Sequence, residues 1–391
     1  MLIKIIKGIV LINFGLYLYN TLMTIFSFKK YEKPKSMIDS FRQTFSILIP
    51  SHNEEDVIYD TLQNIQKIKY PKDYFNVYII MDNCTDNTMK EFNRFKQDYP
   101  FSTNINKIIV NGGSKPKALN KAISYLKENN LWNADNIIIL DADNIISDTM
   151  LQSYDYYHKM YNDILQCRIL SANDNNIISQ GFTSSFNFMA YGFQYTRNCI
   201  GLSASLSGTG FSIKRDIFDK VGFNKCDTLT EDLEFSILCI LNGYKIKYVP
   251  EEYVLNQHLE SLKPSLIQRI RWCRGHMQTA MKLDKSLLKA FIKRPSFQLI
   301  DSFIFLNSPP KFIIYLIANI NLILLNIKII PLWVLILLFV YNTFYVLRCN
   351  GYKLKYFIPH FWYSITMQIS LLIGTLTYRN KQWVKTVHKK L

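Results

Sequence analysis

Apolar residues fall into two regimes along this chain. Near both ends they run almost without interruption, whereas from about Phe45 to Asp284 they come in short bursts separated by amphipathic stretches. In the middle region the bursts Phe45–Pro50, Phe75–Met81, Lys107–Val110, Asn136–Leu140 and Ile164–Leu170 read as strands. The intervening Glu54–Lys67, Asp86–Gln97 and Lys117–Asn129 show helical periodicity. Strand and helix in alternation predict an α/β domain: a mostly parallel sheet with helices on both faces. Gly8–Phe28 carries no charge and is long enough to cross a bilayer core of about 30 Å. Lys4 and Lys7 precede it as in a signal peptide, but no small-residue cleavage site follows, so an N-terminal anchor is expected. After Pro295 come three more candidate membrane helices, Phe312–Ile327, Ile329–Leu347 and Tyr356–Tyr378. Lys285–Phe303 mixes basic and apolar residues and suits an interfacial helix. The resulting division is an anchor over 1–30, a catalytic domain over 45–284, an interfacial segment over 285–311, membrane helices over 312–378 and a basic tail over 379–391.

Charge changes the picture only in one respect. The 391 residues carry a net charge of +16. Such an excess suits nucleic acid or anionic lipid headgroups. The lysines gather beside the apolar ends, at Lys29, Lys30, Lys33 and Lys35 and again at Arg348, Lys353 and Lys355, and no basic stripe interleaved with aromatics runs through the middle region. Membrane lipid is therefore the expected partner and nucleic acid is not. The same bias places the middle region on the cytoplasmic side of the cell membrane, in an integral membrane protein. The seven cysteines form neither a CxxC pair nor a Cys/His cluster, which argues against a disulfide framework or a zinc site.

The candidate chemistry sits where the predicted strands end. In doubly wound sheets, ligands bind beyond the carboxyl ends of the strands. Ser51-His52-Asn53-Glu54 follows the first strand; it can hold a nucleotide, or can simply form a turn with Ser51 or Asn53 capping the next helix. Asp82 ends the second strand, where a carboxylate can accept hydrogen bonds from a base or ribose, or can shape the turn while Asp86 caps the following helix. Gly112-Gly113-Ser114-Lys115-Pro116-Lys117 leads into a helix N-terminus, which favours anions such as a diphosphate, although the spacing is not that of a P-loop. Asn136–Leu140 delivers Asp141 and Asp143 to one strand end, and hard oxygen ligands of this kind suit Mg²⁺ or Mn²⁺ completed by phosphate and water. Thr230-Glu231-Asp232 opens a helix; Thr230 suits an N-cap, the acids suit the helix dipole, and Asp232 also suits a general base. Gln268, Arg271 and Trp272 fall on one helical face, combining an amide, a planar guanidinium fork for phosphate and a flat plate for a sugar ring. A snorkelling helix on the membrane surface would also place them there.

In order, Asp82, Asp141-Ala142-Asp143, Thr230-Glu231-Asp232 and Gln268-Arg269-Ile270-Arg271-Trp272 resemble the Asp, DxD, TED and QxxRW series of glycosyltransferase family 2. That inverting group includes cellulose, chitin, hyaluronan and poly-N-acetylglucosamine synthases. The resemblance covers roughly Phe45 to Met281 and takes in Ser207-Gly208-Thr209-Gly210. It implies a GT-A fold, a UDP-sugar donor, a Mg²⁺ or Mn²⁺ cofactor and a glycan or glycolipid acceptor. By the same resemblance Asp82 and Asp141 would contact the nucleotide with Lys117 near it, and Asp143 would bind the metal. Asp232 would be the catalytic base, Gln268 and Arg271 would hold the diphosphate, and Trp272 would meet the acceptor. The implied reaction is one in-line displacement giving a β-linkage, in polysaccharide synthesis or, alternatively, in single transfer to a glycolipid or polyprenyl phosphate.

Overall fold

The computed structural model describes residues 2–31, 42–160, 163–307 and 330–382. The chain packs as two compact units. One takes Tyr31–Ala172 and Ser203–Gln257; the other takes the chain up to Lys30, Asn173–Leu202 and the described chain from His258 on.

The first is a sheet unit. Its strands are β1 (Phe45–Ser51), β2 (Phe75–Asp82), β3 (Ile105–Val110), β4 (Asn136–Ile139), β5 (Ile145–Ile146), β6 (Ile164–Ser171), β7 (Phe211–Lys214) and β8 (Ile246–Asn256), in the order β3-β2-β1-β4-β7-β6-β8-β5. Pairing is parallel from β3 through β4 and between β6 and β8, and antiparallel at β4/β7, β6/β7 and β5/β8. The sheet is thus mostly parallel. Consecutive residues Ile47, Leu48 and Ile49 of β1, and Ile137, Ile138 and Ile139 of β4, are all fully buried. Burial on both faces is what a helix-covered sheet requires, and it explains why these strands are unbroken apolar runs. Helices Ile58–Gln66, Thr88–Asp98, Lys115–Glu128, Met150–Met160 and Glu231–Leu241 supply the cover. The five strands expected from apolar bursts are present; β5, β7 and β8 were not expected. β5 is two residues long, β7 follows the glycines at 208 and 210, and β8 is half polar, so none makes a conspicuous burst.

The second unit is helical. It contains Leu2–Met23, Ile177–Met189, the 32-residue helix Leu262–Lys293, Phe297–Asn307, Leu332–Cys349 and Phe357–Leu376. Asn176 and Ser179 form a capping box at the start of Ile177–Met189, and the chain then passes through a π-helical turn, Ala190–Tyr195. Glycines let the last helix approach its neighbours: a Cβ on Gly374 would lie 2.5 Å from the Cβ of Cys273, and one on Gly181 would lie 2.9 Å from the Cβ of Tyr363. Polar side chains bridge the helices. Tyr19 donates to Asp301 at 2.7 Å, Arg197 meets Asp301 at 2.8 Å, Asn342 donates to Tyr17 at 2.8 Å and Asn350 donates to Ser184 at 2.8 Å.

These polar residues bear on the expected membrane spans. The apolar stretch 8–28 is a helix only to Met23 and continues as a 3-10 turn, Thr24–Phe28. The stretches 329–347 and 356–378 become Leu332–Cys349 and Phe357–Leu376, which carry Asn342, Arg348, Pro359, His360 and Gln368. Among the described residues no helix is long and apolar enough to cross a membrane. The span expected at 312–327, and the basic tail beyond residue 382, lie outside the described residues. Within the expected interfacial segment, Phe297–Asn307 buries Leu299, Asp301, Ser302 and Leu306, and exposes Phe297 and Ile300.

Candidate active site

In the sheet unit, four strand or loop ends carry the acidic residues. Asp82 closes β2 and is 6% exposed. Its carboxylate accepts the Gly112 N–H at 2.6 Å and the Gly113 N–H at 2.9 and 3.1 Å, and the Asn83 amide at 2.9 Å. Asp82 shapes a turn, but the turn is the loop after β3, two residues before Lys115. Nearby, the loops after β1 and β2 interlock. Asn53, at φ 58°, accepts the Thr85 N–H at 2.7 Å, and Thr88 donates to Asp86 at 2.6 Å while its N–H reaches the same carboxylate at 3.0 Å. Asn53 therefore braces the neighbouring loop rather than capping its own helix; the N-cap position of the helix Thr88–Asp98 is Asn87, without a side-chain cap, and Asp86 one residue earlier holds Thr88.

Lys115 is the centre of the site. Its ammonium donates to Asp141 Oδ1 at 2.6 Å and to the Gly208 carbonyl at 2.7 Å. Burial alone would lower its pKa, but Asp141, Glu231 and Asp232 outweigh that and hold it above the usual lysine value. Gly208 adopts φ +79°, and a Cβ there would sit 3.4 Å from the Asp232 carboxylate. Lys115, Asp141, Gly208, Glu231 and Asp232 therefore form one cluster, in which Gly208 touches both the lysine and the neighbourhood of the expected base. Thr209 fixes the other side: its hydroxyl accepts the Asp141 N–H at 3.0 Å and donates to Asn144.

Burial raises the carboxyl of Glu231 to about 7, with Lys115 opposing and Asp232 reinforcing. Asp232 is also raised, first by burial, against the Leu233 N–H and Lys115. A half-buried carboxylate that holds its proton more tightly than an ordinary aspartate is better matched to accepting one from a hydroxyl. Thr230 makes no side-chain cap, contrary to expectation; its hydroxyl is buried without a hydrogen-bond partner, at an extended φ of −129°. The helix start is instead fixed by Ser236, which donates to the Asp232 carbonyl at 2.8 Å and accepts the Leu206 N–H at 2.8 Å.

Asp143 lies two residues beyond Asp141, is 8% exposed, and accepts the Asn144 amide at 3.3 Å. Among the described residues no group of three or more His, Cys, Asp or Glu side chains is placed to hold a metal. The donors at hand are carboxylate oxygens from one strand end. That set fits a hard cation such as Mg²⁺ or Mn²⁺ taking its other ligands from diphosphate and water.

Lys117, the lysine singled out from the sequence, is exposed in the first turn of the helix Lys115–Glu128. Lys115, two positions earlier, takes the central place. The signal that could have found it is the Gly-Gly-Ser stretch, which ends the loop tethered by Asp82 immediately before that residue.

Gln268, Arg271 and Trp272 belong to the helical unit, half-buried on the long helix Leu262–Lys293. Trp272 packs edge-on to Phe182 and Phe186, with ring centroids 6.2 and 6.4 Å apart. Phe186 and Phe182 also contact the ring of His258 at 4.9 and 5.0 Å. Arg269 turns to a different face. It is 1% exposed, donates to Thr366 at 2.7 Å and lies over the Tyr363 ring at 4.7 Å. The two arginines of one short motif are thus separated in function by helical phase alone: Arg269 locks the long helix to Phe357–Leu376, while Arg271 stays on the face of Gln268 and Trp272.

This arrangement belongs to a nucleotide-sugar-binding α/β fold of the GT-A kind. The model of glycosyl transferase family group 2 matches residues 136–347, and that of glycosyl transferase family 2 matches residues 46–222. The chain belongs to the family 2 glycosyltransferases. It is similar to the probable glycosyltransferase YdaM of Bacillus subtilis, 29% identical over 72% of this chain and 68% of that protein. It is also similar to the beta-monoglucosyldiacylglycerol synthase of Synechocystis, 28% identical over 59% of this chain and 47% of that protein. A third relative is the poly-beta-1,6-N-acetyl-D-glucosamine synthase of Staphylococcus aureus, 26% identical over 70% of this chain and 64% of that protein. The matched region thus spans about half to two thirds of these relatives' own lengths. Among solved structures, the mannosyltransferase PcManGT of Pyrobaculum calidifontis, in complex with GDP-Man and Mn²⁺, shares the fold. Its TM-score is 0.66 at 16% identity, covering 97% of this chain and 100% of that one.

Proposed function

We propose that the chain transfers a sugar from a UDP-sugar to a glycan hydroxyl with inversion, forming a β-glycosidic bond in polysaccharide synthesis. The observation that carries this reading is the convergence of Lys115, Asp141, Gly208 and Asp232 at the strand ends. Asp232 takes the proton from the acceptor hydroxyl, whose oxygen bonds to the anomeric carbon as the bond to the diphosphate breaks. The raised pKa of Asp232 matches that task. Lys115 gives up part of its contact with Asp141 to meet the negative charge that develops on the leaving diphosphate. Asp141 and Asp82 lie on the nucleotide side, Asp82 through the loop it tethers. Asp143 would hold Mg²⁺ or Mn²⁺, which when bound supplies positive charge to the same leaving group. Gln268 and Arg271 serve the diphosphate and Trp272 the acceptor sugar.

Incubating the full chain with a panel of radiolabelled UDP-sugars, with and without Mg²⁺ or Mn²⁺, and sizing the product tests this. No labelled product from any donor overturns it, and full turnover in excess chelator removes the metal. A second reading, single transfer to a lipid acceptor, is favoured by the likeness to the beta-monoglucosyldiacylglycerol synthase of Synechocystis. One sugar per acceptor would establish it in place of the first.

We also propose that the protein is held in the cell membrane, with the sheet unit on the cytoplasmic side. Supporting this, Leu332–Cys349 exposes Trp333, Ile336, Leu337, Phe339 and Val340, and Phe357–Leu376 exposes Ile358, Ile365, Ile369, Leu372 and Leu376. Apolar surface on that scale suits lipid rather than water. The protein should stay with membranes through high-salt and alkaline washing; release into the supernatant overturns this placement.

A further inference from the structure

Glu252 is a deeply buried acid that the reaction does not use. It sits on β8, is 1% exposed, and among the described residues no basic side chain pairs with it: its carboxylate accepts the hydroxyls of Ser147 and Ser153, and that of Thr149 at 3.1 and 3.2 Å. Taking a carboxylate out of water is costly unless its lone pairs are filled, and here three hydroxyls fill them. β8 is irregular at this point. Its register against β6 jumps between Cys167 and Arg168, from Val249 to Tyr253, so that Pro250-Glu251-Glu252 bulge out of the ladder. The bulge is what turns Glu252 towards the three hydroxyls.

Those hydroxyls lie just after the DxD carboxylates. Ser147 is four residues beyond Asp143, across the two-residue strand β5, and its N–H also bonds to the Tyr253 carbonyl at 3.1 Å. From the other side, Thr61 donates to the Ala142 carbonyl at 2.7 Å, and Asn64 accepts the Ile146 N–H at 2.8 Å. The segment 141–147 is thus held at its start by Thr209 and Thr61, at its end by Asn64 and Glu252, with Asp143 between.

We propose that Glu252 is a positioning residue for the metal-binding carboxylate. By clamping Ser147 and Thr149 it fixes where β5 ends, and so, through that two-residue strand, where Asp143 stands just before it. The proposal rests on the reading of Asp143 as the metal carboxylate. Outer-shell partners of metal ligands typically change metal affinity by about 10–100-fold when removed.

The test is Mn²⁺ binding to the full chain in the presence of UDP, followed by electron paramagnetic resonance of free Mn²⁺, with a thermal melt on each variant. Glu252→Ala and Ser147→Ala should each weaken Mn²⁺ by about tenfold or more. Glu252→Gln should recover part of the loss, because its amide still accepts one hydroxyl and can donate to another. Ser153→Ala removes the anchor on the helix side only and should leave Mn²⁺ affinity near that of the unaltered chain. If Glu252→Ala does not fold, Glu252→Gln and Ser147→Ala decide. Unaltered chain that binds Mn²⁺ with UDP, together with folded Glu252→Gln and Ser147→Ala that bind it equally well, overturns the positioning role alone. Unaltered chain that binds no Mn²⁺ with UDP overturns the metal reading, and this proposal with it.

Discussion

Asp301 of the helical unit and Asp141 of the sheet unit each face a basic side chain, at 2.8 and 2.6 Å, yet the two pairs live in different surroundings. Asp301 and Arg197 are 3% and 1% exposed, whereas Asp141 and Lys115 are 37% and 24% exposed. A fully buried pair has no other partner to turn to, and breaking it strands a charge. A half-exposed pair can trade partners with an incoming anion or cation at little cost, because water still screens both members. The helical unit therefore spends its buried charge on architecture, tying Leu2–Met23 to Phe297–Asn307 through Tyr19 and Asp301. The sheet unit keeps its charge exchangeable, where a diphosphate can compete for Lys115.

The sharpest way to break that comparison is at the base. Asp232→Asn should cut transfer by about 10²–10⁴-fold while leaving UDP-sugar binding and the melting temperature close to those of the unaltered chain. Initial rates beside equilibrium donor binding check it; lost donor binding would make Asp232 a binding residue instead. Asp301→Ala should do the opposite. It leaves Arg197 buried without its carboxylate and should cost about 3–5 kcal/mol, seen in denaturant melts, with transfer per folded molecule unchanged. Next, Lys115→Ala removes a charge-assisted hydrogen bond of about 1.5–3 kcal/mol, so kcat/KM should fall about 10–100-fold, whereas Lys117→Ala should leave it nearly untouched. Equal effects would show that the two lysines share the site.

Smaller effects sharpen the picture further. Trp272→Ala loses its edge contacts to Phe182 and Phe186, each worth about 0.5–1.5 kcal/mol, and should lower transfer more than donor hydrolysis, with Phe at this position restoring part of the transfer. A parallel fall of both rates would make Trp272 a packing residue only. The smallest effect is in pH. Burial raises Glu231 from its ordinary 4.5 to about 7, so between those values the folded chain holds a proton that the unfolded chain has released. Stability therefore falls as pH rises through that window, and the penalty is fully present above about 7. Glu231→Gln should flatten that slope in melts taken from pH 5 to pH 8; an unchanged slope would assign it to another group.

Much of the sheet unit was legible because fully buried strands advertise themselves as apolar runs, and because strand ends are where ligands collect. Asp82 and Asp141 are singled out by that logic, and so is the helix N-terminus after Gly113, whereas Asp232 is singled out as one of two acids opening a helix. The choice between Lys115 and Lys117 was not, since both follow the same glycines and only the tether from Asp82 decides which one turns inward. Glu252 was invisible for a different reason. Its importance depends on a register jump against β6, which no periodicity in its own strand reveals. In the helical unit, Arg269 and Arg271 look alike in sequence, and two residues, a step of about 200° around the helix, assign one to packing and the other to the half-buried face of Gln268 and Trp272.

The way the two units share the chain has a consequence for biosynthesis. Each is assembled from pieces that alternate along the sequence, Lys30, Ala172, Leu202 and Gln257 marking the crossings. A nascent chain released as far as Ala172 still lacks β7 and β8, the two strands that flank β6. Helix Leu2–Met23 precedes the other described elements, yet waits for Asp301 before Tyr19 meets its partner. The described strands of the sheet unit are all present once Gln257 has emerged, whereas the helical unit still waits for the chain from His258 on. A stop placed at either of the later crossings would release a fragment with exposed β6 edge or an unpartnered first helix, which the cell would meet as a client for chaperones rather than as a smaller enzyme.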